Sequence, residues 1–400
     1  MKKYIYLFAA LSLVIACSET KQEINRVAEK VSTSSGDSII EVRLSDLRDS
    51  TIISLSQWVD SIEVVTLEDT EDAYFKYGKV SLSDHFILVF GSSQSPALLF
   101  DRGTGKFISR VGNIGNGPGE YFAIYSAQID EPNNRIYMLP WNLKQIYVYS
   151  LDGKTLDPIP TAYPMPKGTL KVDTDSKTVT IGVLPFEGGA EVAVWKQDFD
   201  GNILTEVKAG HLLFKPDFSN EISSTFNTPT FDYYLLTWSG RPDSLYHYDT
   251  ERGRLVPVFT LDTQSSIRTA EVSYQTQINE DVILKNYMEL PHLFLGCTSS
   301  PTRSEHGYTS TPPKWFFVDK ATLSGAWFTL QNDFFGGYDV YPNFKNGYFI
   351  ENCEPQNLFD TLGKILESKE LSTEKRAKVE SFRSKINTEG NNIILIGKLK

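Results

Sequence analysis

Short runs of apolar and aromatic residues recur along the chain, and many of them end in the same kind of turn. Each such run is followed by an aspartate and then by a glycine with a small or basic neighbour, after which another apolar run begins. The aspartates of the clear copies are Asp101, Asp152 and Asp200, and those of two looser copies are Asp249 and Asp319. Aspartate caps such turns and glycine adopts their left-handed backbone conformation, so each copy predicts a hairpin between two antiparallel strands.

These aspartates follow one another at nearly constant intervals. The intervals are 51, 48, 49 and 70 residues. Strand repeats with a period of about 50 residues are typical of the blades of a β-propeller, and residues 38–352 have room for about six such units. We therefore predict an all-β fold, a six-bladed β-propeller. The longest interval contains residues 263–313, in which 299–308 reads as a long exposed loop.

Strand-like runs also stand at both ends of the repeat region, at residues 61–67 and 392–399. An open ring of blades would leave two unpaired strand edges, so propellers combine N-terminal and C-terminal strands in one blade. We expect residues 391–400 to supply the closing strand. Before it, residues 355–386 carry apolar side chains on one helical face, which predicts a short helical insertion near the C-terminus. We expect this insertion to pack on the propeller, and the alternative is a partner-docking role.

The first residues have the pattern of an export signal. A start with two lysines precedes an apolar run at residues 4–15, which is too short to span a bilayer. The run ends in Leu-Val-Ile-Ala-Cys, which resembles the bacterial lipobox. Residues 1–16 are therefore predicted to be a lipoprotein signal peptide, with Cys17 as the lipidated residue. The alternative is a signal cleaved by an ordinary peptidase, with Cys17 uninvolved.

The segment after the signal has a different composition. Residues 17–37 are rich in Ser, Thr, Lys and Glu and lack apolar periodicity, so ordering them would cost more than burial returns. We predict a flexible tether, followed by the propeller at residues 38–400. The expected location is the cell envelope, with the outer membrane as the anchoring membrane.

The formal net charge of −11 narrows the possible partners. A surface with this excess of carboxylates repels nucleic acid phosphates and anionic lipid headgroups. We therefore expect no nucleic acid partner and no membrane contact other than the N-terminal lipid.

The residues that could hold a metal or form a disulfide are few. The histidines are His85, His211, His247, His292 and His306. They are scattered, and no CxxC or HExxH spacing occurs, so we expect no metal and no cofactor. The alternative gathers one histidine per blade at the propeller axis. Cys297 and Cys353 either form one disulfide in an oxidising compartment or remain buried free thiols.

The whole pattern resembles the six-bladed β-propeller lipoproteins of Bacteroides-like bacteria, which are related in architecture to NHL-repeat propellers. The residues that carry the resemblance are 105–107 running into Gly112, then 117–121, 242–246, 58–67 and 391–400. The resemblance covers nearly the whole mature chain. The resemblance implies the fold and a cell-surface or periplasmic location, but no common activity, so it transfers no catalytic residue.

Four side chains are candidates for ligand binding: Arg110, Trp141, Trp238 and Arg241. Both tryptophans follow predicted strands, where aromatic rings with nearby amides suit sugars or peptides. The alternative places each tryptophan between neighbouring blades. Arg110 points either into the central channel or along a solvated strand face. It precedes the glycine-rich loop 112–119, which lacks the ending and the helix of a phosphate loop and is expected to link two blades.

These observations favour a non-enzymatic binding module. We expect a lipid-anchored envelope propeller that contacts a glycan, a peptide or a partner envelope protein. The alternative is a lyase-type or hydrolase-type enzyme with its site in the central channel, because catalytic pairs are assembled in space and leave no fixed spacing in the sequence.

Overall fold

Six antiparallel sheets form the blades of a six-bladed β-propeller, as the repeat spacing predicts. The computed structural model describes residues 24–75, 78–91, 95–216, 219–238, 243–263, 283–304, 307–369 and 371–400. We number the blades 1 to 6 along the chain. Each has four principal strands, and the first of them lies nearest the central axis.

Blades 1, 2 and 3 are each built from four consecutive strands. Blade 1 contains Lys79–Leu82, Phe86–Phe90, Ala97–Asp101 and Phe107–Val111, blade 2 contains Ile124–Asp130, Arg135–Pro140, Gln145–Tyr149 and Thr155–Pro160, and blade 3 contains Gly168–Asp173, Thr178–Val183, Val192–Asp198 and Ile203–Lys208.

The predicted aspartate–glycine turns join the third and fourth strands of these blades. In blade 1 the carboxylate of Asp101 accepts a hydrogen bond from the backbone N–H of Thr104 at 2.7 Å. Gly105 follows with a φ of +71°, and a Cβ there would lie 2.0 Å from the carbonyl oxygen of Thr66. Only glycine satisfies both the conformation and the close approach. In blade 3 the capping carboxylate belongs to Asp198 rather than to the predicted Asp200.

Blades 4 and 5 each recruit N-terminal strands. Blade 4 contains Glu221–Ser223, Asp232–Leu236, Leu245–Asp249 and Arg254–Asp262, and blade 5 contains Leu284–Glu289, Leu293–Ser299, Lys314–Asp319 and Gly325–Asn332. Ser38–Arg43 pairs in parallel with the fourth strand of blade 4, and Ser50–Ser54 pairs in parallel with the fourth strand of blade 5, which also pairs with Tyr338–Val340.

The predicted tether ends earlier than residue 37. Ala28–Ser32 forms a strand that pairs with Ser38–Arg43 at the outer edge of blade 4. Apart from its first residue, this strand is exposed or half-buried, so it needs no apolar alternation and gives no periodic signal. Asp37 then forms a two-pronged ion pair with Arg254, with N–O distances of 2.6 and 2.7 Å.

Blade 6 closes the ring in the predicted way. It contains Phe344–Lys345, Tyr348–Cys353, Ile393–Lys398 and, as its fourth strand, Glu63–Thr66 from the N-terminal part of the chain. Ile394 lies opposite Val65 and Leu395 opposite Val64 in this pairing. The C-terminal strand therefore gains partners on both sides, and the ring has no open junction.

The predicted helical insertion consists of two helices between the second and third strands of blade 6. Helix α1 is Pro355–Glu367 and helix α2 is Thr373–Arg383. The carboxylate of Glu354 caps α1 by accepting from Asn357 N at 2.8 Å. Leu358, Leu362 and Val379 join an apolar cluster with blade 6. The insertion thus packs on the propeller, as expected.

Most of the predicted long loop at 299–308 belongs to a short β-hairpin. Strands Pro301–Ser304 and Gly307–Ser310 pair with each other outside blade 5. The remaining short elements are the parallel pair Asn113–Ile114 and Glu120–Tyr121, and the 3₁₀ turns Leu44–Asp46, Leu55–Gln57, Gly210–Leu212 and Asp333–Phe335.

The hydrophobic core is divided among the junctions between neighbouring blades, each of which buries its own apolar cluster. Between blades 1 and 2, for example, Leu88 and Leu99 pack with Ile136 and Tyr149. None of the helices in the described part of the chain is long and apolar enough to cross a membrane.

The strand order fixes two faces. Since successive strands run in opposite directions, the connections between blades emerge on the same side as those between second and third strands. We call this side the loop face and the opposite side the hairpin face. The glycine-rich loop, the 301–310 hairpin and both helices belong to the loop face.

Candidate functional site

The glycine-rich loop links blade 1 to blade 2, as the sequence predicts. Gly112 has a φ of +69°, and a Cβ there would lie 2.7 Å from a ring carbon of Tyr121 and 2.7 Å from the hydroxyl oxygen of Tyr149. The hydroxyl of Tyr121 donates to Val111 O and accepts from Ala97 N, both at 2.7 Å. These contacts hold the loop in one conformation across the blade junction.

An acidic side chain already occupies the inner surface of this loop. The carboxylate of Glu120 accepts a hydrogen bond from Gly117 N at 2.8 Å. A bound anion would meet this carboxylate instead of a set of free N–H groups. The loop therefore links the two blades and lines one side of a neighbouring cavity, and it is not a phosphate-binding loop.

Trp141 and Phe122 form the rest of a pocket beside this loop. The cavity has a volume of about 740 Å³ and is lined by residues 115–122 and 140–143 together with Gln145 and Tyr147. Phe122 is 62% exposed and Trp141 is 40% exposed, and their ring centroids are 6.4 Å apart. We call this cavity the aromatic pocket.

The backbone holds Trp141 at the surface. Its N–H donates to Ala123 O at 3.0 Å, and the next N–H, of Asn142, donates to Met165 O at 2.8 Å. Asn142 has a φ of +55°, which asparagine tolerates better than most residues. The turn thus presents Trp141 outward and does not insert it between blades.

The structure does not unite the other predicted candidates with Trp141. Arg110 lies on the fourth strand of blade 1 and forms an exposed ion pair with Asp72 at 2.5 Å, so it occupies the solvated face. Trp238 is half-buried in blade 4, where its backbone N–H donates to Asn220 Oδ1 at 2.9 Å. Arg241 and Cys17 lie outside the described residues.

Cys297 and Cys353 are free buried thiols. The disulfide alternative is wrong for this structure because Cys297 lies in blade 5 and Cys353 in blade 6, in separate apolar clusters. Burial raises the pKa of the Cys297 thiol to about 12, which keeps it protonated and unreactive at neutral pH.

A second cavity, which the sequence did not indicate, lies at the propeller axis where the first strands begin on the loop face. Its volume is about 420 Å³, and all six blades contribute to it. Among its lining residues are Lys79, Tyr125, Thr169, Ser223, Asn286, Trp315 and Lys345. We call this cavity the channel site.

Two lysines bring positive charge into the channel site. The ammonium group of Lys79 donates to Tyr125 O at 3.0 Å and lies 5.2 Å from the centre of the Tyr125 ring. Burial, together with repulsion from Lys79, lowers the pKa of Lys345 to about 8. Surrounding protein atoms also lower the pKa of Lys79, although its side chain is open to the channel mouth.

The hairpin-face end of the axis has the opposite character. A cavity of about 930 Å³ there is lined by Asp84, Asp130, Glu131, Asp173 and Asp175 among others. Several of these carboxylates stabilise turns. Asp130 accepts from the Thr174 hydroxyl at 2.5 Å, and Glu131 accepts from His85 N at 2.7 Å.

No cluster able to hold a metal ion occurs among the described residues. None of the four described histidines lines the channel site, so the alternative of a histidine ring at the axis finds no counterpart there. His247 instead bonds to Glu289 at 2.5 Å, and Lys320 bonds to the same carboxylate at 2.6 Å. These contacts join blades 4 and 5.

Six closed blades of four strands, with the last blade shared between both ends of the chain, define a six-bladed β-propeller. The chain belongs to the DUF4934 family, a domain of unknown function, whose model matches residues 38–398. None of the curated proteins compared with the chain matches it.

A solved structure shows the same fold. A Bacteroides fragilis protein described as exported is 16% identical, with a TM-score of 0.60, and the match covers 90% of this chain and 99% of that one. A member of the DUF4221 family from Bacteroides vulgatus is 9% identical, with a TM-score of 0.45, and the match covers 86% of this chain and 97% of that one. The family match and the Bacteroides fragilis structure confirm the propeller part of the predicted resemblance, and lipidation at Cys17 stays a prediction.

Proposed function

We propose that this protein is a glycan-binding module of the cell envelope, anchored by a lipid on Cys17 and binding its ligand in the aromatic pocket. The apolar run at residues 4–15 and the following Cys17 support the location. The description of the Bacteroides fragilis relative as exported supports it as well.

The observation that carries the proposal is the exposed pair Phe122 and Trp141 beside amide side chains. A large aromatic ring held outward at a cavity wall gives a sugar ring an apolar plate at little ordering cost. Asn116, Asn142 and Gln145 line the same cavity. Each amide offers both donors and an acceptor to sugar hydroxyls, so the pocket combines the two kinds of contact that sugar recognition needs.

The test of ligand class is a glycan array followed by calorimetry on the glycans that bind. We expect Trp141→Ala to weaken binding about tenfold, since loss of one stacked ring removes roughly 1.4 kcal/mol. Tyr74→Ala is the matched control, because Tyr74 is also an exposed aromatic residue, at 52%, and does not line the pocket. Unchanged affinity in Trp141→Ala, or binding of peptides in place of glycans, would refute the glycan proposal.

The anchor is tested separately by membrane fractionation of cells that carry Cys17→Ser. The thiol is the only atom of the segment that could receive a thioether-linked lipid, so the variant should appear in the soluble fraction. Cys297→Ser in a protein that keeps Cys17 is the control, since the Cys297 thiol is buried in the propeller. If the Cys17→Ser protein stays with membranes, lipidation at this position is wrong.

A further inference from the structure

The channel site is separate from the aromatic pocket and has a different chemistry. It lies on the axis, and the two cavities share no lining residue. Among the residues described around it, Lys79 and Lys345 are the charged ones, and no carboxylate lines it. Glu221 is near enough to attract Lys79, but its carboxylate is paired with Lys167 at 2.8 Å.

This arrangement is unfavourable for the protein alone. The chain has 50 aspartates and glutamates against 39 lysines and arginines, yet none of the acidic side chains lines this cavity. Lys79 and Lys345 come from adjacent blades and repel each other. Asp232 attracts Lys345 from outside the cavity, but its carboxylate already accepts hydrogen bonds from Thr225 N and Phe226 N. Two like charges in a partly desolvated cavity cost stability, and an anion bound between them would offset that cost.

The hydroxyl and amide side chains of the lining describe what else that anion must carry. Ser223, Tyr341 and Asn343 line the channel site, and each is at least partly exposed. Hydroxyl and amide groups both donate and accept hydrogen bonds, so they match a ligand that carries several hydroxyl groups better than a bare inorganic anion.

We propose that the channel site binds a sugar acid, a small hydroxylated carboxylate. Its carboxylate lies between the ammonium groups of Lys79 and Lys345, and its hydroxyl groups bond to the side chains of Ser223, Tyr341 and Asn343. The cavity volume of about 420 Å³ is in the range of small-molecule sites. Because this site does not include the aromatic pocket, failure of the glycan proposal leaves it standing.

Calorimetry with galacturonate at pH 7 tests the site, with galactose as the neutral ligand of the same shape. We expect the protein to bind galacturonate and to bind galactose at least tenfold more weakly. Lys79→Met and Lys345→Met should each reduce galacturonate affinity at least tenfold. Lys171→Met is the control, because burial also lowers the pKa of Lys171 but its side chain lines the cavity on the hairpin face.

Several results would overturn the proposal. They are no galacturonate binding up to millimolar concentration, equal binding of galactose, equal binding by Lys345→Met, or inorganic phosphate binding as tightly as galacturonate. The last would leave an anion site without hydroxyl recognition. Thermal unfolding of every variant, measured in parallel, separates loss of the site from loss of the fold.

The pH dependence gives an independent readout. The charged groups that act on Lys345 are Lys79 of blade 1 and Asp232 of blade 4. Galacturonate remains ionised above neutral pH, whereas Lys345 loses its charge near pH 8. Affinity should therefore fall about tenfold between pH 7 and pH 9.5, and an unchanged affinity over this range would contradict the role of Lys345.

Discussion

The positive charge of Lys345 favours binding of an anion but lowers the folding stability of the protein. Its amine is charged at neutral pH although burial and the nearby Lys79 disfavour the charge. The unfolded chain has no such constraint, so its lysine keeps an ordinary pKa near 10.5. Between these two pKa values the unfolded state binds more protons, and the free energy of unfolding rises with pH in that window.

The variant Lys345→Met should therefore be more stable than the native protein at pH 7. We expect the gain to be about 1 to 3 kcal/mol and to shrink as the pH rises from 8 towards 10.5, where the native lysine is neutral. Chemical denaturation of both proteins across this range measures it. A variant that is less stable at pH 7 would show that the ammonium group has a stabilising partner.

Sequence analysis could find some individual site residues but not the decisive ones. Trp141 stands out because a tryptophan between a proline and an asparagine after a strand is unusual, and the structure presents it at the surface. Lys79 and Lys345 are separated by almost the whole ring of blades. Each is an unremarkable lysine in a short strand, and only closure of the ring makes them neighbours.

At the scale of elements, one connection ties three blades together. Asn227 follows the first strand of blade 4, and its Nδ2 donates to Glu289 O and Phe344 O, both at 3.1 Å. Its Oδ1 accepts from Gly347 N at 3.0 Å. The side chain is 8% exposed, so water cannot easily replace these bonds.

We predict that Asn227→Ala lowers the free energy of unfolding by about 2 to 4 kcal/mol, because three buried backbone groups lose their partner. Asn133→Ala is the matched control from the corresponding connection of blade 2, where the side chain is exposed and bonds to Asp130. The control should change stability by no more than about 0.5 kcal/mol. Urea unfolding gives both values, and equal effects would argue against the locking role of Asn227.

The elements that sequence could predict are those with a local signal. The aspartate–glycine turns, the closing strand and the amphipathic insertion each depend on nearby residues, and all three are present. The edge strand Ala28–Ser32 escaped prediction because a strand exposed on most of its surface has no apolar alternation. The hairpin at 301–310 escaped for the same reason, since it pairs outside the blade and contributes little to the core.

At the scale of the whole molecule, an acidic protein has a cationic site on its axis. The net charge of −11 predicts a surface that repels anions, yet the loop-face end of the axis carries Lys79 and Lys345. The hairpin-face end is lined by carboxylates. This polarity favours entry of an anionic ligand from the loop face, where the aromatic pocket also lies. Overall composition could not reveal it, because the charges that matter are a small minority of the total.

We propose that the loop face carries two separate binding sites, one aromatic and one cationic. Calorimetry of two variants against two ligands, galacturonate and the best neutral glycan from the array, tests whether the two sites act separately. We predict that Lys345→Met loses galacturonate affinity at least tenfold and retains the glycan, while Trp141→Ala shows the reverse. If either variant loses both ligands, or neither, while remaining folded, the loop face does not carry two separate sites at these residues.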